Sequence, residues 1–350
     1  NGATLTISSP NWTNAGGTLV LNNSTINLGG TFSDPGAISR TGGTINVTGT
    51  WNLSNYLLSG STGDFVLNGG TIKGGSLALD GGTLRFSNNG NNILDGVTVS
   101  GAMQLSASSA IVRLLNGTSF SEADLTGANS RLIVEGTTGT PSSTLSDALI
   151  NMDGSNVSFG LSRDITLTLD SSTTIRGMGS IRSDLQFSGV GTIINQGTIV
   201  ADLSGQTLTI NPDSFTNEGS VRAINGGKVN FTTAYTQTAG SLEVAASTIS
   251  SNTALQINGG SLSGYGQINA AIMNNAMLRP ELGGSGLNVT GAVTLLSSST
   301  LSLQIGGLTQ GSQYSFLNVN GATQLGGTLV VSFVNSFEAN PGNNFTVLSS

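Results

Sequence analysis

The 350-residue chain contains no cysteine and no histidine, and only 8% of its residues are charged and 5% aromatic. Without cysteine there is no disulfide framework, no thiolate metal site and no cysteine nucleophile. Without histidine there is no His-based triad and no imidazole ligand for zinc, copper or non-haem iron. An average globular domain carries about 25% charged residues, so solubility here falls to Ser, Thr, Asn, Gln and exposed backbone. The 11 basic residues set against 18 acidic ones leave a net charge of −7. The basic residues stand singly, as at Arg40, Lys73, Arg113 and Arg176. That scatter argues against nucleic acid, whose phosphates need clustered cations. No apolar run approaches the roughly 18 residues of a membrane span. The chain opens at Asn1 without an initiator methionine or signal peptide, and we read it as a mature product or the ordered part of a longer protein. Lack of cysteine fits a secreted bacterial chain that crosses membranes unfolded.

What the chain has in abundance is glycine, 51 residues of it, placed in a recurring phrase. One or two glycines precede Ser or Thr, and apolar residues follow at alternate positions. Examples are Gly16-Gly17-Thr18-Leu19-Val20-Leu21, Gly42-Gly43-Thr44-Ile45-Asn46-Val47, Gly81-Gly82-Thr83-Leu84-Arg85-Phe86 and Gly326-Gly327-Thr328-Leu329-Val330-Val331. Period-two alternation marks a strand with one buried face, and the glycines supply turn geometry that a β-carbon would hinder. Helical patterning is almost absent: Ser121-Glu122-Ala123-Asp124-Leu125 makes one turn at most. The fold expected is all-β.

Repetition favours a parallel β-solenoid, in which each coil stacks its strands ~4.8 Å from those of the previous one. At roughly 20–25 residues per coil the chain makes about 14–17 coils. Leu77/Leu79, Leu84/Phe86, Val97/Val99, Met103/Leu105, Leu208/Ile210, Val229/Phe231 and Leu242/Val244 are the expected inward pairs. Asparagine recurs at corners, where it tolerates left-handed backbone. The phrase Leu287-Asn288-Val289-Thr290-Gly291-Ala292 returns as Leu317-Asn318-Val319-Asn320-Gly321-Ala322. We therefore divide the chain into solenoid coils over 1–285 and a doubled 30-residue β module over 286–350, which either stands alone or continues the solenoid.

Gly69-Gly70-Thr71-Ile72-Lys73-Gly74-Gly75-Ser76-Leu77, Asn92-Ile93-Leu94-Asp95-Gly96-Val97-Thr98-Val99 and Gly191-Thr192-Ile193-Ile194-Asn195-Gln196-Gly197-Thr198-Ile199 resemble large secreted bacterial surface proteins of the filamentous-haemagglutinin and autotransporter-passenger type. The run from Leu317 to Leu348 resembles passenger-domain repeats. This resemblance implies a right-handed parallel β-helix, export to the cell surface, and a role in adhesion or matrix building. It transfers no functional residue. The barrel strands of an autotransporter translocator and the secretion domain of haemagglutinin-like proteins are not in this sequence.

Few residues invite chemistry. β-Helical polysaccharide enzymes work with carboxylates aided by Arg or Lys, and the closest groupings here, Glu122 with Asp124 and Arg163 with Asp164, read as solvated loops. No catalytic residue is assigned and no enzyme activity is expected. Calcium could be offered oxygens at Asn88 to Asp95 or Asn151 to Asn156, but neither stretch matches an EF-hand or a Gly-Gly-x-Gly-x-Asp repeat. Turn chemistry accounts for both, so no metal and no cofactor is assigned. Trp12 and Tyr56 are the carbohydrate-contact candidates, since an outward ring can stack on a sugar face. Trp51 shares the inward alternation of Leu53. The expected function is a structural or adhesive extracellular solenoid, the stalk or repeating unit of a surface fibre, with a polysaccharide-binding or polysaccharide-degrading β-helix as the alternative. Expected partners are further coils, through end-to-end self-association or continuation into a longer chain, and surface glycans.

Overall fold

A computed structural model describes residues 2–137, 141–183, 185–284 and 286–350. Among these residues there is no helix, and the chain is a parallel β-solenoid of about 14 turns. It divides into two compact units, Asn1–Leu167 with Arg182–Gly191, and Thr168–Ile181 with Thr192–Ser350. The sequence division at 285/286 follows the doubled module, whereas this one follows contacts.

In the first unit, in-register parallel pairing builds unbroken inner columns. One runs Leu5, Ile26, Ile45, Phe65, Leu84. Another runs Phe32, Trp51, Ile72, Leu94, Leu114, Val134, Leu161. Like stacks on like because a parallel rung repeats the previous one at strand spacing, so each apolar side chain meets one of similar height. Of the inward pairs expected here, Leu77, Leu84, Phe86, Val97, Val99, Met103 and Leu105 are fully buried, while Leu79 is half-buried. The segment expected to form at most a helical turn is instead part of the strand Ser119–Leu125. Its Phe120, Ala123 and Leu125 point inward with Glu122 and Asp124 between them.

The second unit repeats the plan. Its longest inner column is Ile175, Ile199, Val221, Leu242, Leu262, Leu278, Leu301, Leu329. Beside it runs a polar inner column, Asn195, Asn217 and Gln237, continued through Ile257 to Asn274. All four amide side chains are fully buried. Asn195 Nδ2 donates to Asn217 Oδ1 at 2.8 Å, Asn217 Nδ2 to Gln237 Oε1 at 3.3 Å, and Gln237 Nε2 to the Gly259 carbonyl at 2.8 Å. The amide donors are all answered, by the next amide or by turn carbonyls, while Asn195 Oδ1 and Asn274 Oδ1 are buried without a hydrogen-bond partner. Tyr235, also buried, gives its hydroxyl to Gln237 Oε1 at 2.7 Å, and burial pushes its phenol well above the ordinary range. The doubled module joins the ladder: Leu287, Asn288 and Val289 pair with Gly266, Gln267 and Ile268 on one side and with Leu317, Asn318 and Val319 on the other.

Gly240 shows why the corners are glycine. Its φ is +67°, and a β-carbon there would stand 1.8 Å from the Gly219 carbonyl oxygen of the rung below. At Gly205, φ is also positive, at +74°, but nothing lies within 4 Å. Gly205→Ala therefore measures backbone strain alone and is expected to cost about 1 kcal/mol, and Gly240→Ala adds a backbone collision and is expected to cost about 2–4 kcal/mol. Thermal denaturation of the two variants checks the difference; equal costs would mean the corner does not pack as tightly as described.

Candidate functional site

Trp12 and Tyr56 both lie along the inner aromatic ladder. Asn11, at φ +57°, turns the chain so that the Trp12 ring stacks on Phe32 with centroids 4.6 Å apart and planes 17° from parallel. Phe32 stacks in turn on Trp51 at 5.6 Å. The Trp12 indole N–H donates to the Gly29 carbonyl at 2.9 Å, and the ring is half-buried. Tyr56 meets Trp51 edge-on at 5.1 Å and gives its hydroxyl to the Gly36 carbonyl at 3.0 Å. Burial and the nearby Asp34 charge push its phenol up to about 12. The pattern Pro10-Asn11-Trp12 reads as a surface corner in sequence; the ladder partner that captures the ring, Phe32, is a full coil away.

The outer face carries polar columns that mirror the inner apolar ones. Asn46 Nδ2 donates to Asn27 Oδ1 at 2.8 Å, and Asn27 Nδ2 to Thr6 Oγ1 at 3.2 Å. Farther along the first unit, Gln104 Nε2 donates to Asp124 Oδ2 at 2.6 Å. Asn151 Nδ2 donates to both Glu122 Oε1 and Asp124 Oδ1, at 2.9 and 2.8 Å. Glu122 and Asp124 thus sit on a strand, not on a solvated loop, and are tied to neighbouring rungs. In the second unit a hydroxyl column runs Thr174, Thr198, Ser220, Ser241, Ser261, interrupted by Met277, then Thr300 and Thr328.

Charges that stand singly in the sequence meet across rungs. Arg85 lies 2.7 Å from Asp64, Arg176 2.5 Å from Asp202, and Arg222 2.8 Å from Glu243. Burial pushes the Asp64 carboxyl up, but hydrogen bonds from Thr83 and Arg85 outweigh it and hold the group below the usual carboxylate range. In the asparagine-rich corner at 88–95, Asn89 Oδ1 accepts the Asn91 N–H at 3.0 Å. Asn92, fully buried, accepts the Gly69 N–H at 2.6 Å and donates to the Ile111 carbonyl at 2.9 Å. No group of three or more acidic side chains placed to hold a metal ion occurs among the described residues.

One cluster stands out by burial. Glu135 is 3% exposed and Arg113 8%. Arg113 grips Glu135 with two donors, Nε to Oε2 at 2.6 Å and Nη2 to Oε1 at 2.8 Å, and Arg163 Nε reaches Oε1 at 2.8 Å. Both guanidiniums lie over the Phe187 ring, at 5.0 Å for Arg113 and 4.1 Å for Arg163. Burial raises the Glu135 carboxyl, yet the hydrogen bonds and charges of Arg113 and Arg163 prevail and hold it below the usual range. Residues 185–191 cross this outer face. Leu185 covers Ile111 and Ile133, which alternation would otherwise leave in water. This cluster is missing from the sequence reading, though a signal exists. Ala110-Ile111-Val112 and Leu132-Ile133-Val134 break the alternation with continuous apolar runs, which mark strands covered on both faces.

No family model and no curated protein matches the sequence. Among solved structures the chain is similar to a TibC-catalysed hyper-glycosylated TibA fragment, residues 55–350, at 16% identity and a TM-score of 0.30, with 95% of this chain and 97% of that one covered. The strand register described above, rather than that likeness, defines the fold.

Proposed function

We propose that this chain is a structural and adhesive module of a bacterial surface, a length of β-solenoid within a fibre or matrix filament, acting outside the cell and without turning over a substrate. The observation that supports this reading is the continuity of the ladders, rung after rung, through Thr300–Ile305 to Thr328–Phe333. The strand Thr328–Phe333 pairs with Thr300–Ile305 on one side, and all six of its residues are exposed. Leu329, Val331 and Phe333 continue the inner positions of Leu301, Leu303 and Ile305; among the described residues no further strand pairs beside them, and Leu329 and Phe333 are 57% and 58% exposed. An edge with unpaired N–H and C=O groups over apolar side chains accepts another strand readily. A further coil fits it, from more of the same chain or from a second copy whose Thr4–Ile7 edge carries the matching Leu5.

Sedimentation and electron microscopy of the chain test the second-copy arm. End-to-end association that is lost in Phe333→Asp and shortened on deletion of residues 1–21 is expected. Isolated particles of one chain length at high concentration would leave chain continuation as the only supplier of the coil. Adhesion is tested by coating beads with the chain and measuring retention on glycan-bearing and bare surfaces. The bonded amides of Asn27 and Asn46 favour a glycan as the ligand on the outer face, because planar amides pair with sugar hydroxyls. Release of reducing ends or unsaturated sugars from polysaccharides, abolished by Asp124→Asn, would replace this reading with an enzymatic one.

A further inference from the structure

In a solenoid each coil touches only its two neighbours, so coils are free to open one at a time. Residues 185–191 break that rule in the first unit. Running across the outer face, they touch four successive rungs. The Gln186 amide lies against Gly90, where an added β-carbon would stand 2.7 Å from its Nε2. Leu185 packs on Ile111 and Ile133 from the next two rungs. Its carbonyl accepts from Arg131 Nη1 at 2.9 Å, and its N–H donates to the Leu161 carbonyl at 3.1 Å. Phe187 N–H donates to Ser162 Oγ at 2.9 Å, Arg163 N–H to the Phe187 carbonyl at 3.2 Å, and Val190 N–H to Asp164 Oδ1 at 2.8 Å.

The side chains beneath are chained along the same line. Arg113 gives Nη1 to the Gly90 carbonyl at 3.1 Å and its other donors to Glu135 one rung on. Arg163, on the rung after that, donates its Nε to Glu135 Oε1, the oxygen that Arg113 Nη2 also bonds. The two arginines, two rungs apart in the stack, meet over one Phe187 ring.

We propose that residues 185–191 are an axial clasp that makes the rungs of Ile111–Leu115, Arg131–Glu135 and Ser158–Ser162 open as one unit instead of one by one. The clasp holds the apolar strip of Ile111 and Ile133 dry from outside, and the Phe187 ring fastens it to first and last rung through the two guanidiniums. A coil that opened alone would have to give up its own hold on the strap: Ile111 or Ile133 from Leu185, the Leu161 carbonyl from the Leu185 N–H, or an arginine from both the ring and Glu135. The rungs therefore share a single opening event. The clasp acts on the stack whether or not the chain is adhesive.

Native-state hydrogen exchange on the full chain tests this, with Phe187→Leu, Phe187→Ala and Leu185→Ala beside the parent. In the parent, the amides of the three strands should exchange with one common protection factor. In Phe187→Leu, which keeps an apolar side chain but removes the ring, protection of all three should fall at least roughly fivefold. Leu185→Ala should lower it at least about thirtyfold. Strands of the other unit, such as Thr207–Asn211 and Lys228–Phe231, should be unchanged. Protection that stays within about twofold, or that falls only in Ser158–Ser162, the rung bonded to the strap by its own backbone, overturns the clasp. If Leu185→Ala unfolds the whole chain, the Phe187 variants decide, since that ring is partly exposed and its loss leaves the inner columns intact.

Discussion

Leu242→Asp is expected to unfold the coil that carries it. Leu242 is fully buried between Val221 and Leu262 on adjoining rungs. A carboxylate there would have apolar neighbours above and below and no cation within the column. Burying an unpaired charge costs on the order of 4 kcal/mol or more in practice, because the group must stay desolvated or force the rung open. The next residue gives the contrast. Glu243 faces out and pairs with Arg222 at 2.8 Å, both side chains being partly exposed, so Glu243→Ala is expected to cost under about 1 kcal/mol. Chemical denaturation of the two variants checks the strand phase directly. Similar midpoints would mean that the inner and outer faces have been exchanged.

Glu135→Ala carries the other large expected effect. It leaves the Arg113 guanidinium buried with its two best acceptors gone, and breaking a buried pair from one side costs about 3–5 kcal/mol. Arg163→Ala, which removes the half-exposed partner, is expected to cost about 1 kcal/mol. Replacing Glu135 and Arg113 together by methionines should restore most of the loss, because two apolar side chains leave no orphaned charge.

The same pair sets a pH dependence. The folded Glu135 and Asp64 carboxyls are held below the ordinary carboxylate range, so each contributes stability that is complete above the unfolded value, roughly 4.3 for Glu and 3.9 for Asp. That contribution is lost as the pH falls through the folded value. Stability should thus be flat from neutral pH down to about 5 and decline below it, and Glu135→Gln should flatten the decline without abolishing it, since Asp64 remains. A decline already under way between pH 8 and 6 would contradict the assignment.

The inner face was legible in the sequence for a plain physical reason. A strand with one wet face must alternate, and Leu208/Ile210, Val229/Phe231 and Leu242/Val244 all alternate and are all buried. Which residue sits above which was not legible, because the corners absorb different lengths. Asn27 and Asn46 are 19 residues apart, whereas Glu122 meets Asn151 across 29. Pairings across rungs therefore hid the charge partners of Arg85, Arg176 and Arg222. Glu122 and Asp124 read as a loop in sequence because acidic residues close together are usually solvated, yet Phe120, Ala123 and Leu125 between and around them carry the strand. The strap was least visible of all: Arg131 reaches the Leu185 carbonyl across 54 residues. No local pattern announces such a contact, and only the unbroken apolar runs at Ile111 and Ile133 hint that something covers them. Trp12 and Tyr56 show the converse limit: as outward-ring candidates they read as surface residues, while their ring partners Phe32, Trp51 and Phe65 lie on the inner ladder.

If each coil is bonded mainly to its two neighbours, stretching single molecules from their ends should release the coils in discrete steps. A staircase of force peaks is expected, most of them releasing about one coil, roughly 20 residues or ~70 Å of extended chain. Smooth extension at low force, without discrete steps, would contradict it.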